Sequence, residues 1–466
     1  MAVTASTKIS PAVTVKWALS LLIPLAIWLI PANAIFTVQI RWFAVWTCWM
    51  LLVVAFDLLV PFIPAFLMPV MYYITGVAPS NVCFSGWTAT IVFVIVGAFV
   101  LAEALTDCGL LTRIATWVII RTGGTVNGSI WGCFIVGIIL CAVTFSNAYV
   151  VMAAFTYGVI QALGVKMKSK EAAVLIMASA AGVLSSRFFV YAPSVILMLQ
   201  TGASSVVPGY EILWYRFLLH NLPTALFLVF FVFLLTKIYK TKEADAENCK
   251  AHFEEKYRSL GPISSKEKKA AVLLVILMLL LVTGPFTGIS TDIGFLIIPM
   301  LMFFPGLRIA DESCLKRVDM GMIFFIVSCV GIGAVGGTLG VGQILSAQIA
   351  PLLQGRSVVV TLLSLLLFGT IANFALTPTA MLTALSGPIA AIAMDIGLNI
   401  DAAMYALAHS TDLIFLPYEF IPYLIFFSFG AMTMGDFIKM SALRVGLFFI
   451  FYAVVLIPFW TLLGVV

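Results

Sequence analysis

The sequence predicts an all-α polytopic membrane protein, with 11 transmembrane elements plus two re-entrant helical hairpins in an inverted repeat. Three observations predict it. The chain has 466 residues, 63% hydrophobic and only 10% charged, and its mean hydropathy is +1.15, as in chains that live in a bilayer. Two short apolar runs, Trp131 to Val143 and Val150 to Leu163, flank the polar hexapeptide Thr144-Phe145-Ser146-Asn147-Ala148-Tyr149. Segments of the first half find counterparts about 231 residues later.

The elements follow in order. Residues 1–16 read as a short cytoplasmic N-terminus with no small-residue cleavage signature, so the first apolar run is expected to be a retained anchor. Trp17 to Ala34 and Trp42 to Val60 are the first spans, Phe62 to Val77 is a third broken by prolines, and Trp87 to Cys108 is the fourth. The hairpin of residues 131–163 comes next. Each arm has about 14 residues, or roughly 21 Å at 1.5 Å per residue, whereas a hydrocarbon core of about 30 Å needs roughly 20. Such a pair enters and turns back, and its non-helical tip is tolerated only inside protein or a water-filled cavity. A helix over 172–202, interrupted near its middle, and Leu213 to Tyr239 complete a first half of residues 17–239. A polar cytoplasmic loop, 240–269, separates it from the second half, 270–466. That half contains Ala270 to Phe286, Ile293 to Phe304, Met320 to Ile349, a second hairpin at 358–393, a second broken helix at 402–430, and a last helix from Ala442 to Val466.

Charge placement sets the orientation. With the N-terminus inside, 21 of the 25 Lys and Arg residues fall in cytoplasmic segments, Lys439 and Arg444 among them. Arg41, Arg216 and Arg356 fall outside, and Arg187 lies at membrane depth. The positive-inside rule therefore puts the C-terminus outside. The excess of basic residues reflects this topology and not nucleic-acid binding. The setting is a cell (inner) membrane.

The repeat carries the functional argument. Asp107-Cys108-Gly109-Leu110 corresponds to Thr338-Leu339-Gly340-Val341, and Ser146-Asn147-Ala148 to Thr377-Pro378-Thr379. Arg187-Phe188-Phe189-Val190-Tyr191-Ala192-Pro193 corresponds to Leu416-Pro417-Tyr418-Glu419-Phe420-Ile421-Pro422. An odd number of crossings separates the copies, so the halves are inverted. Paired broken helices in inverted halves place a solute site at the midplane where the breaks meet. A proline or glycine kink that merely eases packing is the alternative for each break taken alone.

Hydroxyls and an amide crowd the two tips: Ser146, Asn147, Thr377 and Thr379. Helix N-termini behind the tips and breaks favour an oxyanion, and free carbonyls at the breaks suit Na⁺. Charges at depth mark functional candidates because they are costly there. Asp57, Asp107 and Asp292 read as interfacial, and Glu103 and Asp412 stay open. Arg187 and Glu419 stand out because both fall in the breaks. The eight cysteines form no CxxC pair and the three histidines are scattered, which argues against a metal centre. No HExxH, GxSxG or Ser–Lys pattern occurs, so nothing points to an enzyme. The glycines from Gly331 to Gly342 lie within a span and read as close helix packing.

The order hairpin, broken helix, loop, hairpin, broken helix resembles the divalent anion:sodium symporter family. That family carries Ser-Asn-Thr at both tips and Thr-Pro-Pro-Asn-like motifs in both broken helices. Here Ser146-Asn147-Ala148 keeps two of three residues, Thr377-Pro378-Thr379 keeps the last and a hydroxyl at the first, and Tyr191-Ala192-Pro193-Ser194 matches the first broken-helix motif loosely. Pro417-Tyr418-Glu419 and Pro422 stand where the second is expected, and Met434-Gly435-Asp436-Phe437-Ile438-Lys439 resembles the link into the last helix. The resemblance implies a secondary active transporter of small dicarboxylates, tricarboxylates or related divalent oxyanions. It implies an elevator motion, a homodimer, and Na⁺ coupling or anion exchange, with no cofactor beyond that ion. Substrate contacts would be Ser146, Asn147, Thr377 and Thr379, joined by Arg187 and Ser194. Ion coupling, by Na⁺ or H⁺, would involve Ser146, Asn147, Ala148, Pro378, Tyr418 and Glu419. The alternatives are a cation/proton antiporter or arsenite-type exporter of the same superfamily, using Glu419 or Asp412, and, from another class, a channel or membrane enzyme.

Overall fold

A computed structural model describes residues 11–466 except 57, 61, 123–124, 240–245, 288–291, 319 and 375. Asp57 and the first ten residues of the expected cytoplasmic N-terminus therefore lie outside the described residues, as do the side chains of Asp292 and Tyr418. Among the described residues the chain is helical, with no strand.

The first half opens with α1 (Pro11–Leu29), α2 (Val38–Ala55), α3 (Phe62–Ile74), the one-turn α4 (Ser80–Cys83), α5 (Thr90–Asp107) and α6 (Leu110–Arg121). The first hairpin is α7 (Val126–Thr144) and α8 (Tyr149–Ala162). The first broken helix is α9 (Lys170–Leu184), a 3₁₀ turn (Ser185–Phe188) and α10 (Pro193–Ser204). Then come α11 (Trp214–Asn221), α12 (Pro223–Ile238) and, in the polar loop, α13 (Ala246–Ser259). The second half runs α14 (Ser265–Thr287), α15 (Asp292–Leu301), α16 (Glu312–Arg317), α17 (Met320–Thr338) and α18 (Val341–Leu353). Its hairpin is α19 (Val358–Ala372) and α20 (Pro378–Asp395), and its broken helix is α21 (Ile400–Ser410), a 3₁₀ turn (Pro417–Glu419) and α22 (Ile421–Ser428). The chain closes with α23 (Met434–Phe451), a π turn (Tyr452–Leu456) and α24 (Ile457–Leu462).

At an offset of about 231, α2, α3 and α5 to α10 line up in order with α14, α15 and α17 to α22. Packing follows the same correspondence: α3 lies against α17, and its counterpart α15 lies against α5. Both α5–α6 and α17–α18 turn sharply, by 64° and 73°. A glycine with positive φ sits at each corner, Gly109 at 84° and Gly340 at 67°. Only glycine takes that conformation without cost from a Cβ.

Four sequence expectations are corrected here. The stretch Met320 to Ile349 is not one straight span, because Gly340 bends it. The expected break of Phe62 to Val77 is absent: Pro69 sits inside a continuous α3. The first hairpin arm begins at Val126 and has 19 residues, not about 14. Thr125 caps it, accepting from the Gly128 amide at 2.9 Å, so the polar start Val126-Asn127-Gly128-Ser129 is helix and not loop. Arg444, expected among the cytoplasmic charges, is fully buried inside the protein, three turns beyond the Thr433 cap of α23.

Among the described residues, three stretches are long and apolar enough to cross a membrane singly: Val126–Thr144, Lys170–Ser204 taken as one, and Met434–Leu462. Counting each sharply bent pair as one span gives up to six. Eleven crossings require the shorter apolar helices to cross as well. The outer faces support a bilayer setting. Leu226, Phe230 and Phe233 on α12 and Val272, Val275 and Leu279 on α14 are exposed, and such continuous apolar surface does not face water in soluble monomers.

Within each half the first hairpin arm packs on the first segment of the broken helix. A Cβ at Gly137 of α7 would sit 2.7 Å from the Val183 nitrogen, and one at Gly182 of α9 would meet the Phe134 carbonyl. Backbones that approach this closely exclude any side chain at those positions. Cross-half ties then join the start of the first broken helix to the link into α23 and to α23 itself. The Lys168 amide donates to the Ala431 carbonyl at 2.9 Å, and Lys170 pairs with Asp436. Outside this unit Arg113 of α6 donates to Glu267 at 2.6 Å and to the Gly261 and Leu260 carbonyls, anchoring α13 through the loop that leads to α14. That donated hydrogen bond holds the Glu267 carboxyl below the usual range.

Candidate functional site

The first hairpin tip is backbone-strained. Phe145 and Ser146 have φ of 53° and 77°, a conformation that costs non-glycine residues of order 1–3 kcal/mol each. It is held by the Ser146 amide donating to the Cys141 carbonyl at 2.9 Å. The Asn147 side chain donates to the Thr144 carbonyl at 3.2 Å. The second tip is anchored differently. Asn373 donates to the Ser410 carbonyl at 2.7 Å and the Leu413 carbonyl at 3.3 Å, locking the tip to the end of α21. Thr377 then caps α20.

These two tips and the two breaks line one cavity. Ser146, Asn147, Arg187, Ser194, Thr377 and Thr379 all line it. Its walls divide cleanly. All of its hydroxyls, its amide and its guanidinium come from hairpins and broken helices. Among the described residues, the early helices of each half contribute Val54, Phe99, Phe325 and Ile326.

Four helices begin at this cavity, since Tyr149, Ser194, Thr379 and Ile421 lie in the first turns of α8, α10, α20 and α22. Three of them, α8, α10 and α22, have no side-chain hydrogen bond capping the first turn. Their amide groups and helix dipoles therefore favour an anion in the cavity.

Among the described residues, Arg187 is the only charged one lining it. Its side chain is buried, and its Nε and Nη2 have no hydrogen-bond partner. The guanidinium lies between two rings, 4.8 Å from the Phe188 centroid and 4.5 Å from that of Phe420. Aromatic faces attract a cation but satisfy none of its N–H groups.

Arg187 and Glu419, the two charges in the breaks, do not pair with each other. The Glu419 carboxylate accepts from the Phe415 and Leu416 amides, with Leu416 at 2.9 Å, so it caps its own turn. Ala148 and Pro378 do not line the cavity. They are the N-cap of α8 and the first residue of α20, where they set the direction of the second hairpin arms. The Tyr418 backbone lies in the second 3₁₀ turn. Asp412 pairs with Arg444 at 3.4 Å. Glu103 and Asp107 both pair with Arg317, at 3.3 and 2.7 Å, away from the cavity.

Sequence reasoning missed Phe420, Asn373 and Arg444. Asp412 was the available signal for Arg444, since a buried carboxylate requires a cation.

A family model described as the sodium:sulfate symporter transmembrane region matches residues 12–466. The chain belongs to that family. It is a multi-pass membrane transporter by that membership. Among solved structures it is similar to the YdaH transporter of Alcanivorax borkumensis, at 16% identity and TM-score 0.52, covering 80% of this chain and 85% of that one. MtrF of Neisseria gonorrhoeae, from a class of antimetabolite efflux pumps, aligns at 13% identity and TM-score 0.49 over 79% and 80% of the two chains. No curated protein matches the sequence.

Proposed function

We propose that this member of the sodium:sulfate symporter family is a secondary active transporter of small dicarboxylates, tricarboxylates or related divalent oxyanions across a cell (inner) membrane. One observation carries the reading: the guanidinium of Arg187, unpartnered and buried, shares a cavity with two polar hairpin tips and four helix N-termini. A buried charge without partners is strongly unfavourable, and a carboxylate or sulfate would supply two acceptors to its fork. Ser146, Asn147, Ser194, Thr377 and Thr379 would complete the shell. A cation/proton antiporter would need a free acid in the cavity. Glu419 is turned into its own backbone and Asp412 is bound to Arg444.

The division of the walls supports an elevator motion. Among the described lining residues, the hairpins and broken helices carry every polar side chain, and the early helices offer apolar ones. Inverted halves, eleven spans, cytoplasmic N-terminus and external C-terminus complete this reading, with a homodimer formed through the early helices. Arg187 takes the place of at least one Na⁺, so coupling is to fewer cations than in an all-neutral site, or transport is anion exchange.

Counterflow of labelled succinate, citrate and sulfate in proteoliposomes, with and without Na⁺ and a pH gradient, tests the substrate class. No accumulation of any anion under any gradient would refute it. Mass measurement in lipid nanodiscs tests the dimer.

A further inference from the structure

A second buried arginine has what Arg187 lacks. Arg444 Nη1 donates to Ser185 Oγ at 3.1 Å and to the Tyr423 hydroxyl, and it lies 3.4 Å from Asp412 Oδ2. Its Nη2 donates to the Asp412 carbonyl. Ser185 opens the first 3₁₀ turn, Asp412 follows α21, and Tyr423 lies in α22. One carboxylate, one carbonyl and two hydroxyls thus converge from the breaks of both halves. Neutralising Asp412 would need a single contact. This set is instead the all-oxygen shell that hard cations take, and an arginine holds its charge at every physiological pH.

We propose that Arg444 is a tethered cation. It fills, with a covalently attached charge, an oxygen cage that joins the two broken helices, and this point of the fold takes no diffusible coupling ion while the side chain is present. Arg444 is a positioning residue on this account, since it does not line the cavity. The inference stands independently of which solute the cavity carries.

Removing the side chain should expose the cage to a diffusible cation. The full chain carrying Arg444→Ala is purified, and its melting temperature is followed in choline, K⁺, Na⁺, Li⁺ and low, non-denaturing guanidinium. The variant should melt below wild type in choline and recover by about 3 °C or more in Na⁺, Li⁺ or guanidinium. The wild type and Arg444→Lys should respond to none of them. The double variant Asp412→Asn/Arg444→Ala should lose the response. An Arg444→Ala protein that no small cation stabilises over choline overturns the proposal. So does a wild type that Na⁺ stabilises through Asp412, shown by loss of that effect in Asp412→Asn. If Arg444→Ala yields no folded protein, Arg444→Gln is measured in the same way: recovery in a small cation supports the cage, and no recovery overturns it. No solute enters the assay, so its failure leaves the anion reading of the cavity untouched, and failure of anion counterflow leaves the cage untouched.

Discussion

Arg187, in the first break, and Arg444, in α23, are both buried, yet their hydrogen-bond partners differ. Arg444 has both terminal nitrogens paired with oxygens from three positions in the chain, and only its Nε is without a partner. Arg187 has two aromatic faces and two unpartnered nitrogens. A charge that is already satisfied stabilises the folded chain and has little left to offer a solute. A charge left unsatisfied does the reverse: it costs folding free energy that only a bound anion returns. Burial alone therefore does not identify a ligand-binding charge. The supply of partners around it does.

Substituting each arginine in turn is the sharpest way to break this comparison. Arg187→Ala should abolish anion counterflow, a loss of more than about 100-fold, with a melting temperature equal to or above wild type because a desolvated charge is removed. Arg187→Lys should retain weak transport, down about tenfold, since a point charge replaces a planar fork. Arg444→Ala in choline should instead lower stability by about 3–5 kcal/mol, because Asp412 is left buried and uncompensated. A stable, fully folded Arg444→Ala beside an unstable Arg187→Ala would invert the comparison.

The tips come next. Asn147→Ala and Thr379→Ala should each weaken anion binding by roughly ten- to hundredfold, the loss of a buried hydrogen bond to a charged group, read as the half-saturating concentration in counterflow. Full affinity in both would remove the tips from the shell.

The smallest effect concerns a third arginine, Arg113, whose partner Glu267 lies at the N-terminal end of α14. The Glu267 carboxyl is held below its usual range, so the stability it contributes is fully present above the ordinary carboxylate pKa. That stability is lost as pH falls through the depressed value. Melting curves between neutral and acid pH should show wild type and Glu267→Gln converging at the acid end.

Much of the architecture was legible because it is written in periodicity and punctuation. The polar hexapeptide at Thr144–Tyr149 and the prolines at 193 and 422 each mark an observed turn or break, whereas Gly340 reads as close packing inside a span and is the corner between α17 and α18. The gathering of Ser146, Asn147, Arg187, Ser194, Thr377 and Thr379 around one cavity followed from pairing the two halves. Partners were not legible. Glu419 reads as a free acid at a break, but a carboxylate beside a 3₁₀ turn is captured by the nearest backbone amides. Arg444 reads as a cytoplasmic charge because a count of basic residues carries no depth, and only the Thr433 cap shows how far into α23 it lies. The extra turn at the start of α7 was hidden because Asn127, Gly128 and Ser129 are weak helix formers whose capping depends on Thr125.

The apolar wall of Val54, Phe99, Phe325 and Ile326 has a consequence for how such a carrier can change over time. A surface with neither donor nor acceptor has nothing with which to tell one anion from another, and nothing with which to detain any of them. Discrimination then belongs wholly to one set of residues and friction to another. On the proposed reading, replacing Phe99 or Ile326 by another apolar side chain should alter how fast the cargo slips past, while the choice of cargo is left to the tips. Taste and speed can be tuned on separate pieces of the same chain, so drift in one leaves the other intact.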